Sequence, residues 1–462
     1  MSERRSLPIV CYDCAEPFQN KNFYKDIMFC KREVDVVAEN KLIQGLIFDW
    51  NFESKHKPQF RSVEVDDETL RDGLQNASVR HPSIGTKRKC LEMMVALGIQ
   101  RVNLGLPMSS QFEHIRALAR MLSSQQLPIK PGVAVRTEIA DLETVARLRD
   151  EFPDIELRAN VFIGASQIRM FAQNWSFEKI LDMSRNSLQW ANQHGIPFMF
   201  VTEDTTRSRP EDIEKLYVSA ASEGASEVCV ADTVGHATPW GAAAVVEHLR
   251  MCLDRSGYTG VKINWHGHSD RGLSLINSLA VIAAGADVIH GTILGIGERS
   301  GNTPLDLLLV NLKLLGFWPD SLSELPKYVM TISRATCVQI PVSYPVFGRD
   351  AFRTSTGVHC AAIEKAEKMG LEELKNRVYC GVPASLVGRV QEIAVGRLSG
   401  SSCVRFWLRK HGYRTSSQKL IALILGKARN EDRILSDSEI HRIVESQEGK
   451  RIFKSRKRRK GE

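Results

Sequence analysis

The chain of 462 residues lacks the segments that mark membrane, secreted and disulfide-linked proteins. No run of about 18 apolar residues is present, so no membrane-spanning helix is expected. The first residues, Met-Ser-Glu-Arg-Arg-Ser-Leu-Pro, lack the apolar core of a secretion signal. The ten cysteines follow no framework of regular spacings, which is typical of reduced thiols. We therefore expect a cytoplasmic protein that does not bind membranes.

The net charge of +8 is a feature of many proteins that bind nucleic acids, but much of the excess positive charge is local. It lies in a basic tail from Lys450 to Lys460, without which the chain is close to balanced. A short tail of this kind is usually solvated. Weak binding of RNA or acidic surfaces is all that we expect of it, and nucleic-acid binding is not the predicted function.

From about residue 61, short segments rich in Val and Ile alternate with helical segments. The predicted strands are 62–66, 99–104, 129–135, 155–163, 197–201, 227–231, 261–265 and 288–293. Eight such units in succession predict an α/β fold, a (β/α)8 TIM barrel over residues 61–320, after an N-terminal extension over residues 1–60. The first strand is not followed by a Gly-x-Gly-x-x-Gly turn, which counts against an open dinucleotide-binding sheet.

Polar residues follow the predicted strands at the end where such barrels place their active sites. They are Arg71 and Asp72 after the first strand, Asn160 in the fourth, Glu203 after the fifth, Thr233 after the sixth, His266 and His268 after the seventh and Asn302 after the eighth. Solvated loops alone would not place polar residues so regularly.

His266 and His268 are the centre of this set. Side chains two apart on a strand point to the same face, so both imidazoles can reach one metal ion. Such a pair alone is weak evidence, but Asp72 and Asn302 complete a mixed oxygen and nitrogen ligand set. This set suits Mg²⁺, Mn²⁺ or Zn²⁺ at a catalytic site. Arg71 next to it would bind a carboxylate or a developing oxyanion.

Three motifs then carry a resemblance to a known family. They are Glu-Thr-Leu-Arg-Asp-Gly-Leu-Gln over 68–75, His-Gly-His over 266–268 and Gly-Ile-Gly-Glu-Arg-Ser-Gly-Asn over 295–302. Together they resemble the metal-dependent barrel superfamily of 2-isopropylmalate synthase, homocitrate synthase and hydroxymethylglutaryl-CoA lyase. Segments 203–208 and 232–235 resemble two further motifs of the synthase branch.

The resemblance continues past the barrel, to about residue 410. Segments 348–352, 357–359 and 379–383 look like the linker subdomains of the synthases, which the lyases lack. The resemblance therefore implies small α/β linker subdomains over 321–410 and a homodimer. Beyond the range of the resemblance we expect a helical C-terminal segment over 411–462.

The reaction that the resemblance implies joins acetyl-CoA to a 2-oxo acid and hydrolyses the thioester. The metal would bind the 2-oxo acid, and Arg71 would stabilise the developing alkoxide. By resemblance, Thr233 would bind the substrate carboxylate, Glu203 and His359 would transfer protons, and Tyr379 would support them. A structural ion pair between Glu203 and Arg207, and ordinary packing of His359 and Tyr379, are the alternatives.

The choice of 2-oxo acid depends on three departures from the family pattern: Asn103 where the synthases usually have glutamate, Asn160 where isopropylmalate synthases have histidine, and Val201 in place of a small polar residue. Arg136 is the candidate for the distal carboxylate of 2-oxoglutarate. Leu106, Phe162 and Val201 could instead form an apolar slot for a branched chain. The simplest prediction is 2-isopropylmalate synthase of leucine biosynthesis, with homocitrate synthase, citramalate synthase or a carbon–carbon lyase as alternatives.

Overall fold

Eight parallel strands close into a barrel in the computed structural model, which describes residues 36–53, 62–107, 111–413 and 417–446. The strands are β1 (Glu64–Asp67), β2 (Arg101–Asn103), β3 (Lys130–Arg136), β4 (Arg158–Gly164), β5 (Phe198–Glu203), β6 (Glu227–Asp232), β7 (Lys262–Gly267) and β8 (Val288–Gly291). They pair in sequence order, and β8 closes the ring on β1. The predicted TIM barrel is confirmed, and each predicted strand overlaps an observed one.

Helices alternate with the strands around the barrel. Those within residues 62–352 are Ile84–Ala96, Phe112–Gln125, Ile139–Glu151, Gln167–Gln173, Phe177–Gln193, Pro210–Ser222, Pro239–Arg255, Ser274–Ala283, Leu305–Leu314 and Leu325–Thr336. Local chemistry explains several of their starts. The Ser176 hydroxyl accepts a hydrogen bond from the Lys179 amide at the start of helix Phe177–Gln193. Thr238 caps helix Pro239–Arg255 in the same way, just before Pro239.

Charged side chains fill part of the barrel interior. Glu227 accepts hydrogen bonds from Arg101 at 2.6 Å and from Arg158 at 2.8 Å. Arg158 also donates to Asp66 at 2.9 Å. Because buried charges are tolerated only when paired, this network requires strands β1, β2, β4 and β6 to keep their observed register. It lies inside the barrel as a rigid support for the neighbouring polar residues.

The chain divides into two compact units. The barrel unit covers the described residues of 53–352 together with 384–390, so it runs past the predicted boundary at residue 320. The reason is helix Leu325–Thr336, whose Tyr328 hydroxyl donates to Asp67 of β1 at 2.9 Å. The helix is therefore part of the barrel's own packing.

The second unit combines the described residues of 1–52, 353–383 and 391–462. Its elements are helices Val36–Gly45, Trp50–Glu53, Gly357–Met369, Glu372–Arg377, Ser401–Lys410, Gln418–Arg429 and Asp437–Glu445 and the short strands Arg353–Thr354 and Glu392–Ile393. One apolar core joins residues on both sides of the predicted boundary at 410, such as Trp407 and Ile424. The Glu39 carboxylate accepts from the Glu373 amide at 2.7 Å, which ties the N-terminal helix to this unit.

None of the helices among the described residues is long and apolar enough to cross a membrane. The basic tail over 450–460 lies outside the described residues, so its predicted weak binding of RNA or acidic surfaces stays a prediction.

Candidate active site and metal centre

A cavity of about 370 Å³ opens among the carboxyl ends of the barrel strands. Its walls carry both charged and apolar side chains, among them Arg71, Asp72, Glu203, Thr233, His266 and His268 of the predicted set. Parallel strands all direct their carboxyl ends to one side of the barrel, which is why residues far apart in sequence meet here.

Asp72, His266 and His268 converge at this cavity, and all three are buried. Asp72 Oδ2 lies 3.2 Å from His266 Nε2 and 3.6 Å from His268 Nε2, and the two imidazole nitrogens are 3.3 Å apart. Three atoms bonded to one metal at about 2.1 Å lie about 3.0 to 3.4 Å from each other in octahedral or tetrahedral geometry. Two of the three observed distances lie in this range, and the third, 3.6 Å, exceeds it by 0.2 Å. The spacing is therefore close to that of three ligands of a single ion.

The protonation states of His268 and Asp72 also suit a metal. Burial and the neighbouring His266 lower the pKa of His268 to about 4, so its imidazole is neutral at pH 7. Burial opposes ionisation of Asp72, but the Arg71 guanidinium and His266 hold the pKa of Asp72 well below its usual range. Neutral imidazole and ionised carboxylate are the forms that bind metal ions.

Asn302 lies next to the triad, since it forms an isolated β-bridge with His268. Its Nδ2 donates to the Ile296 carbonyl at 3.2 Å, which directs Oδ1 elsewhere. Asn302 is buried, and Oδ1 has no hydrogen-bond partner in the described part of the chain. An unpartnered buried oxygen beside two histidines and a carboxylate fits a ligand set for a divalent cation.

Arg71 is held by carboxylates. Its Nε donates to Glu68 Oε2 at 2.6 Å, and its Nη1 lies 3.2 Å from Asp72 Oδ2. Glu68 is fully buried, accepts from Asn103 Nδ2 at 3.1 Å and lies 3.3 Å from His290 Nδ1. The guanidinium is thereby oriented at the cavity beside the triad.

Glu203 ends β5 and faces Arg169 at 3.5 Å. The predicted alternative, an ion pair with Arg207, is not formed, because Arg207 donates to Asp204 at 2.7 and 2.8 Å. Burial raises the pKa of Glu203 against the opposing charge of Arg169. A half-buried carboxyl with a raised pKa is suited to proton transfer.

Thr233 and Asn160 both line the cavity, as the sequence predicts. The Thr233 hydroxyl accepts from the Asp204 amide at 2.8 Å, which leaves its proton for another acceptor.

Arg136 requires a correction, because it is not among the residues that line the cavity. Its guanidinium donates twice to Asp141, at 2.9 and 2.8 Å, on the helix that follows β3.

His359 and Tyr379 belong to the second unit. Their rings stack with centroids 4.0 Å apart and planes inclined by 28°. The structure thus brings the two side chains together, and their predicted role in proton transfer at the barrel cavity stays a prediction.

The cavity is also lined by three residues that the sequence did not identify as site residues: Glu68, His290 and Arg169. For two of these residues the sequence contained a feature that could have identified them. Glu68 opens the motif that contains Arg71 and Asp72, and His290 is a lone ionisable residue inside the apolar eighth strand. Arg169 carried no signal, because its position beside the cavity depends on how the helix Gln167–Gln173 folds back from β4.

Comparisons with known proteins show the family of the chain. The family model described as HMGL-like matches residues 62–335. Homocitrate synthase AksA of Methanothermobacter thermautotrophicus is 29% identical over 84% of this chain and 94% of its own length. A 2-isopropylmalate synthase of Pyrococcus furiosus is 27% identical over 84% of this chain and 77% of its own length. The HMG-CoA lyase of Brucella melitensis superposes with a TM-score of 0.49 at 18% identity, over 59% of this chain and 98% of that one.

Proposed function

The chain belongs to the HMGL-like family, and we propose that it is an enzyme that condenses acetyl-CoA with a 2-oxo acid and hydrolyses the thioester. The observation that carries this proposal is the convergence of Asp72, His266 and His268 beside Arg71 at the open end of the barrel. The names of the related synthases support the same reaction class.

Asp72, His266, His268 and Asn302 are the residues that would hold a divalent metal, for which Mg²⁺, Mn²⁺ and Zn²⁺ are the candidates. A bound metal would supply Lewis acidity to the 2-oxo acid, whose ketone and carboxylate oxygens are its natural ligands. His268 presents a neutral nitrogen to that position, and Asp72 presents an ionised oxygen.

The other residues act on charge and protons. Glu203 is the candidate to accept a proton from the methyl group of acetyl-CoA, because its carboxyl lies at the cavity and its pKa is raised by burial. The carbon so activated bonds to the ketone carbon, and the ketone oxygen takes the negative charge. Arg71 would stabilise that oxygen, and the Thr233 hydroxyl would donate to the substrate carboxylate. Water then cleaves the thioester and releases the coenzyme A thiol.

His359 and Tyr379 are proposed to assist proton transfer from a partner subunit in a homodimer. Their stacked rings support a joint role, since stacking fixes the orientation of the imidazole next to the phenol. The test is a mixing experiment with two variants, described in the Discussion.

The finer assignment to 2-isopropylmalate synthase is supported by Leu106, Phe162 and Val201, which line the cavity and would suit the branched chain of 2-oxoisovalerate. The homocitrate synthase alternative depended on Arg136 as the cation for the distal carboxylate of 2-oxoglutarate. Arg136 is paired with Asp141 instead. The same wall contains the polar residue Asn160, for which the side chain of 2-oxoisovalerate offers no hydrogen-bond partner. Asn160 therefore counts against 2-oxoisovalerate in the choice of substrate.

The experiment is a thiol assay. The purified protein is incubated with acetyl-CoA, Mg²⁺ or Mn²⁺ and a panel of 2-oxo acids, and free coenzyme A is followed. We expect thiol release that requires both the metal and a 2-oxo acid. Release of acetyl-CoA from a hydroxyacyl-CoA, with no thiol from any 2-oxo acid, would instead identify a carbon–carbon lyase and exclude the synthase.

A further inference from the structure

Asn160 is a polar residue built into the wall of the cavity. It lies within β4, where it pairs with Ala134 of β3 and Met199 of β5, and its exposed fraction is 3%. Asn160 and Phe162 both line the cavity, as residues two apart on a strand share one face. The amide is therefore directed to the barrel interior, where a substrate would lie.

The orientation of this amide follows from its neighbour. Arg158 Nε donates to Asn160 Oδ1 at 2.9 Å. A guanidinium has donors only, so the atom of Asn160 that faces it must be the oxygen. Arg158 is itself held by Glu227 at 2.8 Å and by Asp66 at 2.9 Å, and it cannot turn away. The other end of the amide is consequently the NH2 group.

That NH2 group is unsatisfied. Asn160 Nδ2 has no hydrogen-bond partner among residues 36–53, 62–107, 111–413 and 417–446. The side chains of Ala134, Phe162, Met199 and Val201 that line the same cavity are apolar. A buried donor without an acceptor is unfavourable, so a ligand that brings an acceptor to it binds more tightly than one of equal shape that does not.

We propose that the 2-oxo acid substrate carries an oxygen acceptor on its side chain and that Asn160 Nδ2 donates a hydrogen bond to it. The inference rests on the proposed condensation of acetyl-CoA with a 2-oxo acid. It replaces the finer assignment to 2-isopropylmalate synthase, because the side chain of 2-oxoisovalerate has no oxygen. A wholly aliphatic side chain would fill the cavity but would leave the Asn160 Nδ2 donor buried without an acceptor. Sites built around such a donor discriminate against the analogue that lacks the acceptor more strongly than apolar pockets discriminate by size.

The test compares pairs of 2-oxo acids of similar shape. The pairs are 4-hydroxy-2-oxobutanoate with 2-oxopentanoate, oxaloacetate with 4-methyl-2-oxopentanoate, and 2-oxoglutarate with 5-methyl-2-oxohexanoate. Binding is measured by calorimetry in Mg²⁺ buffer without acetyl-CoA, and turnover is measured separately by thiol release. For at least one pair we expect the oxygen-bearing acid to have a Kd about 10-fold to 100-fold lower.

Two variants assign the preference to Asn160. Asn160→Leu is nearly isosteric and lacks the donor, and Asn160→Asp lacks the donor but keeps an oxygen for Arg158. Each should reduce the preference to about threefold or less. Asn192→Leu, at an exposed position on helix Phe177–Gln193, is the matched control and should keep it. Should Asn160→Leu fail to fold, Asn160→Asp decides.

The outcomes separate the two proposals. Thiol release with equal or better binding of the aliphatic acids overturns the inference and leaves the synthase intact. A preference that survives in both Asn160 variants also overturns it. No thiol release from any acid counts against the synthase itself, whatever the binding data show.

Discussion

Replacing Glu68 by glutamine tests whether this carboxylate holds Arg71 in place. Glu68 is 1% exposed, and its two oxygens accept from Arg71 Nε at 2.6 Å and from Asn103 Nδ2 at 3.1 Å. Glutamine has the same shape but no charge. One of its two terminal atoms becomes a donor, and that donor must face either Arg71 or Asn103, which are donors themselves.

The size of the effect follows from these contacts. Removing one partner of a buried ion pair usually costs about 3 to 5 kcal/mol. Arg71 keeps Asp72 at 3.2 Å, so we expect the lower part of this range or less, about 2 to 3 kcal/mol. For a unit of about 300 residues, that lowers the midpoint of thermal unfolding by roughly 3 to 5 °C. A misplaced Arg71 should reduce kcat/KM by about 100-fold.

The assays are thermal unfolding followed by circular dichroism and thiol release with the preferred 2-oxo acid. Gln75→Ala is the matched control, because Gln75 also accepts from Arg71, at 3.3 Å, but in an exposed setting. It should cost less than about 1 kcal/mol and change kcat/KM by only a few-fold. If Glu68→Gln behaves like this control in both assays, Glu68 does not hold Arg71.

Four further predictions concern other residues. His268→Ala should lose Mn²⁺ binding and metal-dependent turnover while keeping the barrel's circular dichroism, and near-normal activity would remove His268 from the ligand set. Because burial raises the pKa of Glu203, kcat should rise with pH through a limb above the usual range of glutamate, and Glu203→Gln should lower kcat and remove that limb. Burial raises the pKa of Asp67 to about 7. The folded barrel thus retains a proton that the unfolded chain loses near pH 4, so the free energy of unfolding should fall by up to about 4 kcal/mol between pH 4 and 7, and a pH-independent difference from Asp67→Asn would contradict this. Finally, His268→Ala and His359→Ala, each inactive alone, should regain turnover when refolded together, and no recovery in a proven mixed dimer would show that His359 does not act across subunits.

The barrel could be predicted from the sequence because its strands are buried on both faces. Segments such as 129–135 and 227–231 are short apolar runs between amphipathic helices, and eight of them in succession have few other solutions. The extent of the barrel unit could not be predicted. Helix Leu325–Thr336 joins it through the contact of Tyr328 with the buried Asp67, and a contact between distant residues leaves no periodic signal.

The candidate site, like the barrel, has features that the sequence predicted and features that it did not. The sequence by itself determined the types of ligand and the strand ends that carry them, since the fold alone directs Asp72, His266 and His268 to one end of the barrel. Only the tertiary structure decided how the remaining charges pair. Arg136 turned to Asp141 on its own following helix, whereas His290 came to face Glu68 because β8 closes on β1. The pairing of His290 with Glu68 joins side chains that are remote in sequence, so no local pattern predicts it. The donor of Asn160 that lacks a partner among the described residues also became visible only in the structure, where Arg158 takes up the oxygen of the same amide.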